Sequence, residues 1–349
     1  VNDPACNADF TIELAERAHA EHVDLVVFPE LNLSSYAIDD LHLQDAMVGA
    51  VDAALARVVE SSNRLRPVLA VGAPLVANGR LYNCAVVVSQ GRVLGVVPKS
   101  FLPNYREYYE KRWFAPGAGI VGAEIEAAGQ VVPFGTDLRF VASDHDGLDF
   151  CVEVCEDLWS PTPPSSLGTL AGALVCANLS ASNIVIGKSD ERHLLCRAQS
   201  ARTASAYVYS AAGHGESTTD MAWDGQGVIY ELGDLLAESE RFALRPELAI
   251  ADIDTDRILG DRQRLDVGGA DVQPQVAGRH RPSPARLAGQ PAPGRATRAA
   301  TSPCTCSFRK WRAERRVPCS TAHRIRWRAP QPRRSQTGSR VARSRARPN

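Results

Sequence analysis

The sequence lacks the features that would mark a membrane protein or a secreted disulfide scaffold. It contains no uninterrupted apolar run of the ~20 residues that a membrane-spanning helix needs. No secretory signal with a basic start and an apolar run is present, and the cysteines show no even framework spacing. We therefore expect a soluble protein with reduced cysteines, located in the cytoplasm and not bound to a membrane.

The two parts of the chain on either side of Leu265 carry opposite net charges. The chain of 349 residues has 39 basic and 40 acidic residues, which gives a formal net charge of −1. Nineteen of the basic residues but only three of the acidic ones follow Leu265. The body is therefore acidic, at about −17, and the tail is basic, at about +16, so partners must be considered separately for each.

Residues 1–265 alternate short β-branched runs with amphipathic segments, a pattern typical of an α/β fold. Val23–Phe28 is predicted to be a buried strand, and a hairpin is predicted to turn at Gln90 and Gly91. Further strands are expected in LDFCVEV, ALVCANLS and AYVYSAAG. No strand is visible upstream to lie beside Val23–Phe28, so we expect the first strand of the domain to be missing.

Composition changes abruptly after Leu265. Proline and arginine become frequent there, and the apolar residues lose the periodicity of both strands and helices. Such a segment buries too little apolar surface to offset the entropy of ordering it. Residues 266–349 are therefore predicted to be a disordered Arg/Pro-rich tail that follows a folded domain over 1–265.

Three reactive side chains each lie just past the end of an apolar strand. Glu30 follows VVFP, Lys99 follows GVVP and Cys155 follows FCVEV. Taken singly, they could be a solvated turn carboxylate, a surface ammonium and a small buried hydrophobe. In α/β folds, however, side chains at strand ends converge on one crevice. We therefore expect these three to form one site.

Together the three side chains supply what amide hydrolysis needs. A thiol is a poor nucleophile until it loses its proton, which a neighbouring carboxylate can accept and later give to the leaving ammonia. A fixed ammonium can stabilise the negative charge on the former carbonyl oxygen. Glu30, Lys99 and Cys155 thus have three distinct tasks in one reaction.

Three longer segments carry a family resemblance: FPELNLSSYAIDDL, PKSFLPNYREYYEKRWFAPG and CVEVCEDLWSPTPPS. They resemble the active-site segments of the nitrilase superfamily, and in particular the N-terminal glutaminase domain of glutamine-dependent NAD synthetases. The resemblance covers roughly residues 5 to 265. It implies a four-layered α-β-β-α sandwich, assembly into a homo-oligomer, and L-glutamine as the substrate.

The resemblance also implies a role for each matching residue of the reaction centre. Glu30 corresponds to the general base, Lys99 to the ammonium that stabilises the oxyanion, and Cys155 to the nucleophile that forms a glutamyl thioester. Glu110 in YREYYE corresponds to a second glutamate that supports the first and orients the substrate. Tyr105 in the same segment corresponds to a tyrosine that binds glutamine.

Four further residues are implied to contact the substrate. Ser182 and Lys188 correspond to positions that hold the polar groups of the amino acid, with Lys188 standing where arginine is usual. Lysine keeps the charge but not the two-pronged fork of arginine, which weakens the expected grip on a carboxylate. Tyr36 is a binding candidate that could equally pack the loop. Glu156, next to the nucleophile, could orient the substrate or the turn backbone.

The family's synthetase domain carries a glycine-rich phosphate loop of the SGG-x-D-S type, and no such segment occurs in this sequence. ATP and magnesium are therefore expected only for a synthetase part that is missing here, and no cofactor is expected for the glutaminase step. No metal site is expected either, because Cys151 and Cys155 have no histidine or cysteine partner at ligand spacing.

Two alternatives to a glutaminase stay open. The first is a stand-alone carbon-nitrogen hydrolase that acts on another amide, a nitrile or an N-carbamoyl group, since one triad serves all of these substrates. The second is an inactive body whose basic tail binds nucleic acid through phosphate contacts. Interspersed Pro, Ala and Arg is also what an out-of-frame reading of GC-rich DNA produces. We favour that origin for the tail and expect no specific nucleic-acid partner.

Overall fold

The computed structural model describes residues 2–144, 147–265, 281–285 and 296–301. Within these ranges the chain forms two β-sheets and five α-helices. The helices are α1 (Pro4–Ala20), α2 (Asp45–Ser61), α3 (Pro164–Leu170), α4 (Lys188–Arg202) and α5 (Thr255–Leu265). Short 3-10 helices cover Asp39–Leu43, Ser62–Arg64, Glu110–Arg112 and Cys155–Trp159.

The first sheet has eight strands. In spatial order they are β13 (Ala249–Asp254), β15 (Ala296–Thr301), β1 (Leu25–Val27), β2 (Val68–Ala77), β3 (Arg80–Ser89), β4 (Arg92–Pro98), β6 (Gln130–Phe134) and β5 (Ala123–Ala127). The hairpin of β3 and β4 turns at Gln90 and Gly91, as predicted, and both residues have the positive φ that such tight turns favour.

The second sheet has seven strands. In spatial order they are β12 (Asp234–Glu238), β11 (Gly227–Glu231), β10 (Ala206–Ala211), β9 (Val175–Ser180), β8 (Asp149–Val154), β7 (Leu138–Ala142) and β14 (Arg281–Ala285). The central strands β8, β9 and β10 are parallel, so their carboxyl ends meet at one edge. The predicted strands in LDFCVEV, ALVCANLS and AYVYSAAG are these three.

The side chains of β1 show how the layers are stacked. Val26 packs with Leu14 of α1 and Val58 of α2 in one buried cluster. Leu25 and Val27 point to the opposite face, where they join a cluster with apolar residues of the second sheet. A third cluster lies between the second sheet and α4. The predicted α-β-β-α sandwich is therefore confirmed.

Two stretches after Leu265 are strands, and for these stretches the prediction of a disordered tail was wrong. β15 runs parallel to β1 and antiparallel to β13, and so lies beside the strand that was expected to lack a neighbour. Ala299, Ala300 and Thr301 are completely buried there. Strand pairing uses the backbone, and small side chains fit a narrow slot, so the loss of apolar periodicity did not exclude it. The rest of residues 266–349 lies outside the described residues.

Two other expectations can be compared with the described ranges. Within them, no helix is long and apolar enough to cross a membrane. The six cysteines of the body are free thiols: Cys6, Cys84, Cys151, Cys155, Cys176 and Cys196. The sequence did not predict β5, β6 and β7, whose short alternating segments lie between glycine-rich turns.

Candidate active site

The structure brings Glu30, Lys99 and Cys155 together from both sheets. Glu30 lies three residues after β1, Lys99 directly follows β4, and Cys155 directly follows β8. The backbone N–H of Glu30 donates to the carbonyl of Ser180, at the end of β9, over 3.2 Å. This contact joins the carboxyl ends of the two sheets, so the predicted convergence at strand ends is correct.

Lys99 is the centre of a buried charged cluster. Its Nζ donates to Glu30 Oε1 at 2.7 Å and to Glu110 Oε1 at 2.6 Å, and all three side chains are buried. Glu30 Oε1 also accepts from Asn83 Nδ2 at 2.6 Å, and its Oε2 accepts from the N–H of Ala181 at 2.8 Å. Two carboxylates therefore share one ammonium, which leaves the cluster with an excess of acceptors.

Burial and the nearby charges shift the pKa values of this cluster in opposite directions. Burial lowers the pKa of Lys99, but the charges of Glu110 and Glu30 outweigh it and hold that pKa well above its ordinary value. Burial raises the pKa of Glu110 from 4.5 to about 7, and the nearby Lys99 limits the rise. The two carboxylates thus favour the charged form of Lys99, and burial favours the neutral form of Glu110.

Cys155 has a strained backbone and a buried thiol. Its φ is +47°, in the left-handed region that residues with a Cβ rarely adopt. Its Sγ accepts a hydrogen bond from Ser180 Oγ at 3.2 Å. Burial raises the pKa of the thiol, Glu30 raises it further, and Lys99 and Ser180 act against that shift. The resting group is therefore a neutral thiol that must lose its proton as it reacts.

A cavity of about 660 Å³ opens above Cys155. Four of the predicted binding residues line it together with Cys155: Tyr105, Glu156, Ser182 and Lys188. The other lining residues are Pro103, Arg106, Glu107, Tyr108, Trp159, Val185, Ile186 and Glu191. The wall thus carries cations and carboxylates as well as aromatic rings, which suits a small ligand with both charges.

Tyr105 and Glu156 form one side of this cavity. The Tyr105 hydroxyl donates to both carboxylate oxygens of Glu156, at 2.8 and 3.1 Å. Burial raises the pKa of Glu156, and the hydroxyl of Tyr105 opposes the shift. This carboxylate lies next to the nucleophile in sequence and faces the cavity.

Lys188 and Ser182 also line this cavity. Lys188 Nζ donates to Asn183 Oδ1 at 2.6 Å and to the Tyr108 hydroxyl at 3.2 Å. The same ammonium lies over the rings of Tyr108 and Trp159, 5.3 and 5.5 Å from their centroids. Ser182 is buried, and its hydroxyl accepts from Arg192 Nε at 3.3 Å.

Tyr36 and Glu110 do not line the large cavity. The Tyr36 hydroxyl donates to Glu110 Oε1 at 2.7 Å, beneath the cavity floor. Tyr36 instead borders a separate cavity of about 20 Å³ together with Asp39 and Asp220. In the described structure these two residues therefore support the lysine cluster, and a direct contact with the substrate stays a prediction.

Some residues of the site were not picked out from the sequence. Tyr108 lies in the same YREYYE segment as Tyr105, and Trp159 follows Cys155 by four residues, so proximity to known motifs could have found both. Arg192 is different, because only the structure shows that it is fully buried and pairs with Asp224 at 2.8 Å. Its guanidinium also donates to the carbonyls of Ser182 and Asn183 and so fixes the cavity wall.

Cys151 and Cys155 lie on opposite sides of the second sheet. Cys151 belongs to the cluster that faces α4, with its Sγ 3.7 Å from that of Cys176, whereas Cys155 belongs to the cluster between the sheets. Within the described ranges, no group of three or more His, Cys, Asp or Glu side chains could hold a metal ion.

A four-layered sandwich with a thiol on the floor of a cavity, and with carboxylates and an ammonium beneath it, is the arrangement expected of a hydrolase that cleaves carbon-nitrogen bonds through cysteine. The sequence agrees, since residues 1–263 match the carbon-nitrogen hydrolase family. The chain belongs to that family.

Individual relatives are similar over the same part of the chain. A glutamine-dependent NAD(+) synthetase of Mycobacterium tuberculosis is 53% identical over 265 residues, which are 76% of this chain and 39% of the relative. The corresponding protein of Mycobacterium leprae is 50% identical over the same shares. A crystal structure of a glutamine-dependent NAD(+) synthetase from Cytophaga hutchinsonii matches with a TM-score of 0.61 and 27% identity, over 68% of this chain and 38% of that one. The chain thus spans about two fifths of the length of these relatives.

Proposed function

We propose that this chain hydrolyses the side-chain amide of L-glutamine, releasing ammonia and glutamate. The observation that carries the proposal is the cavity above Cys155, whose wall presents both the ammonium of Lys188 and the carboxylate of Glu156. A free amino acid carries both charges at one end and, in glutamine, an amide at the other. Such a ligand could pair with Lys188 and Glu156 through its charged end while its amide contacts the thiol of Cys155.

The first chemical step is attack of Cys155 Sγ on the amide carbon. Because the thiol is neutral at rest, its proton moves to Glu30 as the sulfur–carbon bond forms. The carbonyl oxygen becomes negative, and the ammonium of Lys99 stabilises it. The carbon–nitrogen bond then breaks, and the amide nitrogen leaves as ammonia with the proton from Glu30.

The second step removes the glutamyl group from the sulfur. Water attacks the thioester carbon, and Glu30 accepts a proton from that water as the new carbon–oxygen bond forms. The sulfur leaves as the carbon–sulfur bond breaks and regains its proton. This cycle uses only groups of the chain, so we propose that the glutaminase step needs no cofactor.

Recognition of the amino acid follows from the charges on the wall. We assign the α-carboxylate to Lys188 and Ser182, and the α-ammonium to Glu156, whose position Tyr105 fixes. Glu110 and Tyr36 hold Lys99 from below. The names of the relatives couple glutamine to NAD synthesis, and we propose that the ammonia serves the ATP-dependent amidation of nicotinic acid adenine dinucleotide. That amidation belongs to a synthetase part, whose SGG-x-D-S loop this sequence lacks.

The test compares substrates on the full chain. Ammonia release should be much faster from L-glutamine than from L-asparagine, propionamide or propionitrile, and Cys155→Ala should abolish it. Glu156→Gln should raise the KM for L-glutamine, while the exposed control Glu124→Gln should not. Faster turnover of a simple amide or nitrile than of glutamine would instead favour a stand-alone carbon-nitrogen hydrolase.

A further inference from the structure

Asp157 is a buried carboxylate that the proposed chemistry does not use. It lies in the 3-10 turn Cys155–Trp159, two residues after the nucleophile, and is only 1% exposed. Its Oδ1 accepts the backbone N–H of Ser100 at 3.0 Å and of Phe101 at 2.9 Å. Its Oδ2 accepts the backbone N–H of Val154 at 3.0 Å and, over a longer distance of 3.3 Å, that of Ser100.

These three donors belong to two segments that come from different sheets. Ser100 and Phe101 directly follow Lys99, at the end of a strand of the first sheet. Val154 directly precedes Cys155 and ends a strand of the second sheet. One carboxylate therefore connects the backbone beside the ammonium to the backbone beside the thiol.

The strained backbone of Cys155 indicates a second role for the hydrogen bonds that Asp157 accepts. A residue with a Cβ at φ +47° is strained, and such a conformation persists only when its surroundings fix it. Val154, immediately before Cys155, donates its N–H to Asp157 and is held by that hydrogen bond. Burial raises the pKa of Asp157 and the charge of Glu153 raises it further, while the N–H groups of Val154 and Phe101 oppose that shift by stabilising the ionised form.

We propose that Asp157 is a positioning residue that fixes the nucleophile Cys155 against Lys99 by accepting N–H groups from both of their segments. The proposal rests on the proposed function only in taking Cys155 as the nucleophile. It requires two acceptor oxygens. In Asp157→Asn, an NH₂ group in place of Oδ2 removes the acceptor of Val154, and one in place of Oδ1 leaves the segment of Lys99 only the 3.3 Å contact of Ser100.

The chain offers a matched control in Glu153. This carboxylate is also 1% exposed and also accepts a backbone N–H, that of Ser165 at 2.8 Å. Ser165 lies in α3, however, so Glu153 connects β8 to a helix and not to the segment of Lys99. Glu153→Gln should therefore destabilise the fold without moving the thiol relative to the ammonium.

The experiment measures alkylation of Cys155 by iodoacetamide, read from the mass of its peptide, in the full chain. Asp157→Asn should slow alkylation at least about tenfold at neutral pH. It should lower kcat for glutamine by a similar factor and leave KM within about twofold. Glu153→Gln should lower the unfolding temperature and leave the alkylation rate near that of the wild type.

Two outcomes would overturn the proposal. One is an Asp157→Asn protein that loses stability but alkylates and turns over like the wild type, and the other is equal slowing in Glu153→Gln. If Asp157→Asn does not fold, Asp157→Ser gives the same test, because its single oxygen lies one bond closer to the backbone and cannot reach the N–H groups of both segments. Alkylation needs no glutamine, so a wild type that is inert toward glutamine would refute the proposed substrate and leave this test intact.

Discussion

The two ends of strand β1 bury charged side chains in different ways. Asp24 precedes the strand, and its carboxylate accepts from Arg66 Nη2 at 2.6 Å and from the backbone N–H of Arg298 at 2.9 Å. Glu30 follows the strand, and it shares the single ammonium of Lys99 with Glu110. One end is a matched pair of charges, whereas the other has two carboxylates and one cation.

This difference distinguishes buried charges that stabilise the fold from buried charges that we expect to take part in the reaction. A matched buried pair satisfies its own hydrogen bonds and needs nothing from a ligand. At the other end, Glu110 Oε2 has no hydrogen-bond partner among the described residues. An excess of buried acceptors costs stability, and it is useful where a proton must be taken up. We therefore expect changes before β1 to affect folding, and changes after it to affect turnover.

The largest effect is expected before the strand. Arg66→Met leaves Asp24 buried without its cation, and the free energy of unfolding should fall by about 3–5 kcal/mol. Urea denaturation measures this loss, and kcat of the folded fraction should be unchanged. The control Arg64→Met removes an exposed pair with Glu16 and should cost no more than ~1 kcal/mol. A kcat that falls along with stability in Arg66→Met would contradict the distinction between the two ends of β1.

The next effect is expected after the strand. Lys99→Met removes the only cation that Glu30 and Glu110 share, and with it the charge that stabilises the oxyanion. Turnover of glutamine should fall about 100-fold or more. The exposed Lys111→Met, in the neighbouring 3-10 helix, is the matched control and should keep normal turnover. A near-normal kcat in Lys99→Met would show that Lys99 does not take part in the reaction.

A smaller effect should appear in the pH dependence of stability. Burial raises the pKa of Glu110 from 4.5 to about 7. Between these values the unfolded chain has lost this proton while the folded chain still binds it, so stability falls as pH rises. In Glu110→Gln that decline should vanish, and urea midpoints measured from pH 4.5 to 8 would show it. Glu124→Gln, which is exposed, should keep the wild-type curve.

The smallest effect concerns the grip on the substrate. Lys188→Arg replaces one ammonium with a planar fork that can make two charge-assisted hydrogen bonds and stack on Tyr108 and Trp159. The KM for glutamine should fall about three- to tenfold, with kcat little changed. Steady-state kinetics would decide, and an unchanged KM would mean that residue 188 does not contact the carboxylate.

Sequence patterns predicted that three reactive side chains meet, because each of them is marked locally in the chain. Each of Glu30, Lys99 and Cys155 follows an apolar strand, and the shared edge of the sheets then brings them together. The same reasoning missed Asp157 and Arg192, whose partners are backbone groups and distant residues. The sequence does not distinguish a buried carboxylate or guanidinium from an exposed one. Only the fold shows which partners it has.

Strand β15 shows a second limit of sequence reasoning. Its segment ATRAAT has neither the large apolar residues nor the alternation of the strands that were predicted, so its sequence pattern gave no sign of it. The slot between β1 and β13 supplies unpaired backbone groups, and Asp24 binds the N–H of Arg298. Tertiary context therefore decides the structure of these residues.

The central claim is that Cys155 attacks the amide of glutamine, and covalent trapping tests it most directly. The full chain would be incubated with a diazoketone analogue of glutamine, and its peptides weighed by mass spectrometry. We predict one adduct, on the peptide that contains Cys155, which excess L-glutamine prevents and L-asparagine does not. An adduct on another cysteine, or one that persists in Cys155→Ala, would contradict the account.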